Sequence, residues 1–128
     1  MFDKYMIMET GFCNVFQEQE VIGFQLQARL PYYRGLGLSM VEDIRITVDG
    51  NAVPREAIRF TTLGKTYSLE EMETEMVGRW EFGEVATLTI NQPGGLSSGQ
   101  HEIELVEQLR ISYLPFPSIT KDKKTLAL

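Results

Sequence analysis

One histidine, His101, and one cysteine, Cys13, limit the chemistry that this 128-residue sequence can carry. A transition-metal site built from such side chains needs several of them at ligand spacing, and these two lie far apart in the chain. Glu70, Glu71, Glu73 and Glu75 crowd one short segment. Cations need ligands converging from a shaped loop, whereas acids on one short helix form a solvated face. His101 follows Gly99 at the start of a strand-like run. A general base needs an orienting partner, and the sequence offers none for it, so a structural, hydrogen-bonded histidine is expected. Ser97-Ser98-Gly99 lacks the strand–turn–helix setting of a nucleophile elbow, and Pro93-Gly94-Gly95 precedes a strand, so it makes a turn and not a phosphate cradle. The sequence therefore predicts no catalytic residue and no metal site in this chain.

Two segments carry side chains that a core does not obviously need. Pro31 to Ser39 holds Tyr32, Tyr33, Arg34, Leu36 and Leu38 between two strands, where loops are normally polar. Tyr and Arg are also enriched where binding energy concentrates. Either the loop meets a partner or substrate, or its tyrosines pack over the end of the fold with their hydroxyls in water. The partner reading takes Leu36 and Leu38 to be exposed. The second segment is Ser112-Tyr113-Leu114-Pro115-Phe116-Pro117, whose prolines block strand pairing and leave Phe116 free to dock. Trp80, between Arg79 and Glu81, is a third contact candidate, although a single tryptophan more often closes a core.

The elements that must position these residues are strands. In Val21 to Leu30, Ile22, Phe24, Leu26, Ala28 and Leu30 share one face and Gln25, Gln27 and Arg29 the other, ending at Pro31. Ile44, Ile46 and Val48 alternate likewise, and Asp49-Gly50-Asn51 supplies a tight turn. Ile58 and Phe60 continue the pattern as far as Gly64, and Ala86, Leu88 and Ile90 repeat it. A last long strand is expected from Gln100 to Tyr113, where Val106 and Glu107 interrupt the alternation and suggest a bulge. Ser68-Leu69-Glu70-Glu71 reads as a capping box opening one helix, with Leu69, Met72 and Met76 on one face and an end near Gly78. Cys13, in the apolar run Gly11 to Phe16, is expected to be a small core residue. Thr120 to Leu128, with three lysines, reads as a polar, mobile tail.

This spacing of strands and turns predicts an all-β fold, an antiparallel β-sandwich of jelly-roll or immunoglobulin type with one short helix. Residues 1–128 fit a single domain, and at 43% apolar residues a chain of this size buries about two thirds of its unfolded surface. A net charge of −6 argues against a nucleic-acid partner, which needs a basic surface. No apolar run approaches a membrane span, and no basic region precedes an apolar stretch at the N-terminus. No membrane association and a cytoplasmic location are the expectations.

The run Leu30-Pro31-Tyr32-Tyr33-Arg34-Gly35 to Leu38-Ser39, with Ile44-Arg45-Ile46-Thr47-Val48-Asp49-Gly50 after it, resembles the small (β) subunit of bacterial C-glycoside deglycosidases. Trp80, Gly95-Leu96 to Gly99-Gln100-His101, and Arg110-Ile111-Ser112-Tyr113 carry the resemblance over nearly the whole chain. It implies a hetero-oligomer in which a larger (β/α)8-barrel subunit holds a divalent metal, typically manganese, and the catalytic histidine. The substrate implied is a 3-oxo-C-glycoside. This chain would be noncatalytic, meeting partner or substrate through Tyr32, Tyr33, Arg34, Trp80, His101 and Phe116. Two other classes compete. A free-standing carbohydrate-binding module would stack sugar rings on Tyr32, Tyr33 and Trp80, and a small cupin-like enzyme is disfavoured by the single histidine.

Overall fold

A computed structural model describes residues 6–32, 34–111 and 114–128. Two antiparallel sheets face each other. The first has the order β1 (Cys13–Gln17), β2 (Glu20–Arg29), β9 (Val85–Asn91), β6 (Ile58–Thr62), β7 (Lys65–Ser68), and the second β11 (Ser118–Ala127), β10 (Gln100–Leu109), β4 (Val41–Val48), β5 (Asn51–Ala52). A two-stranded ribbon, β3 (Leu36–Gly37) with β8 (Arg79–Trp80), closes one end. The alternating apolar positions point between the sheets. Phe24, Leu26, Phe60, Leu88 and Ile90 from the first meet Ile44, Ile46, Ile103 and Leu105 from the second in one core. This is the all-β sandwich expected from period-2 patterning.

The β4–β5 hairpin turns at Asp49 and Gly50, both at positive φ, as the Asp-Gly signal requires. The β6–β7 hairpin turns the same way at Leu63 and Gly64. At Gly23 a side chain would collide with the backbone carbonyl of Ile90 on β9, so this glycine permits the close approach of the two strands.

Four expectations need correction. Thr120 to Leu128 is no mobile tail, because residues 118–127 form β11, paired with β10 along its whole length. Glu107 does not interrupt β10 with a bulge. It occupies an inward position in the same alternation as Ile103, Leu105 and Leu109, and the irregularity lies between Gln108 and Leu109. Cys13 is exposed. It pairs opposite Gln25 on the outward row, and Phe12 takes the core position. The helix α1 spans only Leu69–Met72. Its capping box is present, but Met76 is 84% exposed, because the Glu75 carboxylate accepts the N–H groups of Val77 and Gly78 and turns the chain away. Ser112 and Tyr113, at the expected end of the last strand, lie outside the described residues.

Candidate docking end and histidine clip

The two ends of the sandwich are defined by contacts between the sheets. Near one end, Phe12 packs edge-on against both Phe24 of β2 and His101 at the start of β10. Midway, Ile7 bridges to Ala28 of β2 and donates its N–H to the Asp122 carboxylate on β11, opposite Leu105. β2 and β10 therefore run the same way, and both finish at the other end. There the Arg110 N–H donates to the Met40 carbonyl and the Leu38 N–H to the Gly78 carbonyl, while Leu36 pairs with Trp80. These bonds tie the described residues of 34–40, 73–84 and 110–111 into one cap.

That cap is where apolar surface gathers. Of the eight large apolar side chains exposed among the described residues, Leu63, Met76, Val77, Phe82, Val85, Phe116 and Ile119 belong to it or its rim, and Phe16 alone lies elsewhere. Leu63 joins them because Thr61 pairs with Thr87, which brings the β6–β7 turn level with Val85. Exposed apolar area concentrated in one region marks an interaction surface. The turn presenting Phe82 is well held. The Glu84 N–H donates to the Glu81 carbonyl, the Glu84 carboxylate accepts the Glu81 N–H, and Trp80 Nε1 donates to the Glu84 carbonyl at 3.0 Å. Gly35, at φ +73, lies so close to Glu81 that any Cβ would strike its carboxylate.

The structure divides the predicted contact residues. Tyr32 is half-buried against the core, Arg34 is exposed, and Phe116 is 63% exposed, all at this end. Tyr33 lies outside the described residues. Trp80 is wholly buried beneath the cap, with Phe60 edge-on at 5.0 Å. Its indole is a core lid and has no face left for a sugar or a partner, which takes Trp80 out of the aromatic platform a carbohydrate-binding module would use. Leu36 and Leu38 are buried, so the apolar half of the loop is core packing and the expected exposure of both is wrong. Sequence reading missed Phe82, whose signal was an aromatic beside Gly83 in a turn.

His101 stands at the opposite end, nearly buried. Its Nδ1 lies 2.6 Å from Asp49 Oδ2 and its Nε2 2.7 Å from the Ser97 carbonyl. Both neighbours accept, so both ring nitrogens carry hydrogen and the imidazolium is favoured. The bond to the Ser97 carbonyl, then that to Asp49, raises the pKa of His101. Asp49 is held below its ordinary value by the same histidine and by the Glu102 N–H. The group is an electrostatic clip tying the β4–β5 turn to β10, and the orienting partner absent from the local sequence is supplied by Asp49. With both ring nitrogens directed at acceptors within the chain, this imidazole is poorly placed to abstract a proton from a substrate. Among the described residues no three His, Cys, Asp or Glu side chains gather where they could hold a metal ion.

The chain is thus an all-β sandwich whose exposed apolar side chains gather at one end. Residues 2–113 match the family model for the C-glycoside deglycosidase beta subunit, and the chain belongs to that family. It is 33% identical over 114 residues to a C-glycoside deglycosidase beta subunit of Eubacterium cellulosolvens, covering 88% of this chain and 78% of that protein. A protein of the same name from Arthrobacter globiformis is 31% identical over 79% of this chain and 80% of its own length. A 3′-dehydrocarminate deglycosidase beta subunit of a Microbacterium species is 34% identical over 73% and 70% respectively.

Proposed function

We propose that this chain is the noncatalytic small subunit of a C-glycoside deglycosidase, docked through the cap formed by β3, β8 and their flanking loops onto a larger (β/α)8-barrel subunit. The gathering of exposed apolar side chains at that one end carries the reading. The relatives' designation as beta subunits supports the existence of a partner, and the 3′-dehydro substrate in one relative's name supports a keto sugar as the reactant.

The chemistry follows from that ketone. A carbonyl at C3 of the sugar acidifies the neighbouring C2–H. A base in the larger subunit takes that proton, and the electron pair forms the C1–C2 double bond. The aromatic aglycone leaves C1 with the bonding pair of the carbon–carbon bond and takes up a proton. A divalent metal in the larger subunit, manganese by the family resemblance, would supply Lewis acidity. This chain stabilises the barrel and borders its substrate entrance, with Tyr32, Arg34, Phe82 and Phe116 on the contact surface. The complex works in the cytoplasm.

The test is reconstitution on a 3-oxo-C-glycoside. The isolated chain should release no aglycone, and adding the larger subunit should give full turnover. Turnover by the isolated chain would overturn the noncatalytic assignment.

A further inference from the structure

Glu107 is wholly buried between the two sheets, and neither carboxylate oxygen has a hydrogen-bond partner among the described residues. A buried polar group without a partner is rare enough to require an explanation. Its cross-strand neighbours are Thr120 on β11 and Ile44 on β4. A second acid, Asp122, lies one inward position along β11 and is 4% exposed. Asp122 is well satisfied, because it accepts the Ile7 and Lys123 N–H groups at 2.8 Å each and has Lys124 Nζ at 3.5 Å.

Among the described residues, the surroundings of Glu107 hold one anion and one cation. On β11 they are Asp122 and Lys124. β4 presents Ile44, Ile46 and Val48, and the facing sheet presents Phe24, Leu26, Ala28, Leu88 and Ile90, none of which ionises. On β10 itself the other inward titratable group is His101, at the far end and engaged with Asp49. Lys124 already pairs with Asp122, so an ionised Glu107 would add a negative charge near a like charge in the buried interior. Burial, and then the Asp122 charge, hold the Glu107 carboxyl well above the ordinary range.

We propose that Glu107 is a proton latch: the sandwich closes over the neutral acid, and loss of its proton to solvent base releases the edge strand β11 from β10. The edge is the side that yields. β4, on the other flank of β10, is backed by β5 and by the Arg55–Asp43 ion pair at 3.0 Å, whereas among the described residues no strand lies beyond β11, whose outer tie is the single Ile7 segment, through its N–H to Asp122 and its carbonyl to Lys124. The latch also reaches the docking cap, because β10 and β11 are joined by the loop carrying Phe116.

Trypsin reads the release directly, since Lys121 and Lys123 are exposed on β11. Cleavage at these lysines is compared in the full-length wild-type chain, E107M and E107Q from pH 6 to 9, with each variant correcting for the protease's own pH dependence. In the regime where opening is fast, cleavage follows the open population. Its wild-type-to-variant ratio should climb with pH, approaching about tenfold per unit while Glu107 stays neutral in the closed form. A ratio that does not change with pH overturns the latch. The infrared spectrum of the wild-type chain at pH 7 should also show a neutral-carboxyl C=O band that E107Q lacks. Absence of that band overturns the proposal even if E107M fails to fold.

Discussion

His101 shows how a single side chain can be misjudged for want of its partner. Asp49 is far away in sequence and reads there as an ordinary turn residue, yet folding β4 against β10 brings its carboxylate onto the imidazole. The pH dependence follows from the two shifts. His101 has a raised pKa in the folded chain, so its contribution is complete below about 6.5, the unfolded value, and disappears as pH rises through the folded one. Asp49 is lowered, so its contribution is present above about 3.9 and is lost as pH falls through the folded value. The clip is therefore strongest between these limits. Thermal melting of wild type and His101→Gln should differ most near pH 5 to 6 and converge toward pH 9. A difference that does not change with pH would show that the imidazolium contributes nothing. Glu107 acts on the same profile with a different origin, which the variants at that position separate.

At the scale of elements, the sequence made the central strands plain and hid the edges. Phe24–Arg29 of β2, Ile44–Val48 of β4 and the whole of β9 carry unbroken alternation because both neighbours and the facing sheet demand apolar side chains on one face. β11 inverts that rule. Its inward positions are Ser118, Thr120, Asp122, Lys124 and Leu126, so hydrophobic periodicity has little to report. Inward charges on an edge strand are also a known guard against pairing with another chain. Glu107 misled for a related reason, since an acid on an inward position reads as a break in the pattern. The cap was half legible. Its aromatic loops stood out, but only the pairing of β3 with β8 shows that Leu36, Leu38 and Trp80 turn inward while Phe82 and Phe116 turn out. The capping box at Ser68 was fully legible because it is local. Ser68 Oγ accepts the Glu71 N–H at 3.0 Å, and the Glu71 carboxylate accepts the Ser68 N–H at 2.7 Å. Ser68→Ala should cost about 1 kcal/mol, read as a lower denaturant midpoint with subunit binding unchanged. A weakened complex would place α1 in the interface.

As a whole molecule, the sandwich has a clipped, polar-lined end at His101 and an apolar end at the cap. A small fold with one such end is suited to docking on a partner subunit. Arg34 adds a planar cation at the same end, a donor suited to a carboxylate on a partner subunit, so Arg34→Ala should raise the Kd of the complex. The most direct measurement is the affinity of this chain for the larger subunit, taken for wild type, Phe82→Asp, Phe116→Asp and Phe16→Asp, with the melting temperature of each free chain as a control for folding. Phe82→Asp and Phe116→Asp should each raise Kd about tenfold or more, a loss on the order of 1.4 kcal/mol. Phe16→Asp, away from the cap, should bind as wild type, and all three should melt within a few degrees of it. Normal binding by the two cap variants, with binding lost in Phe16→Asp, would contradict the assignment of the cap as the docking end.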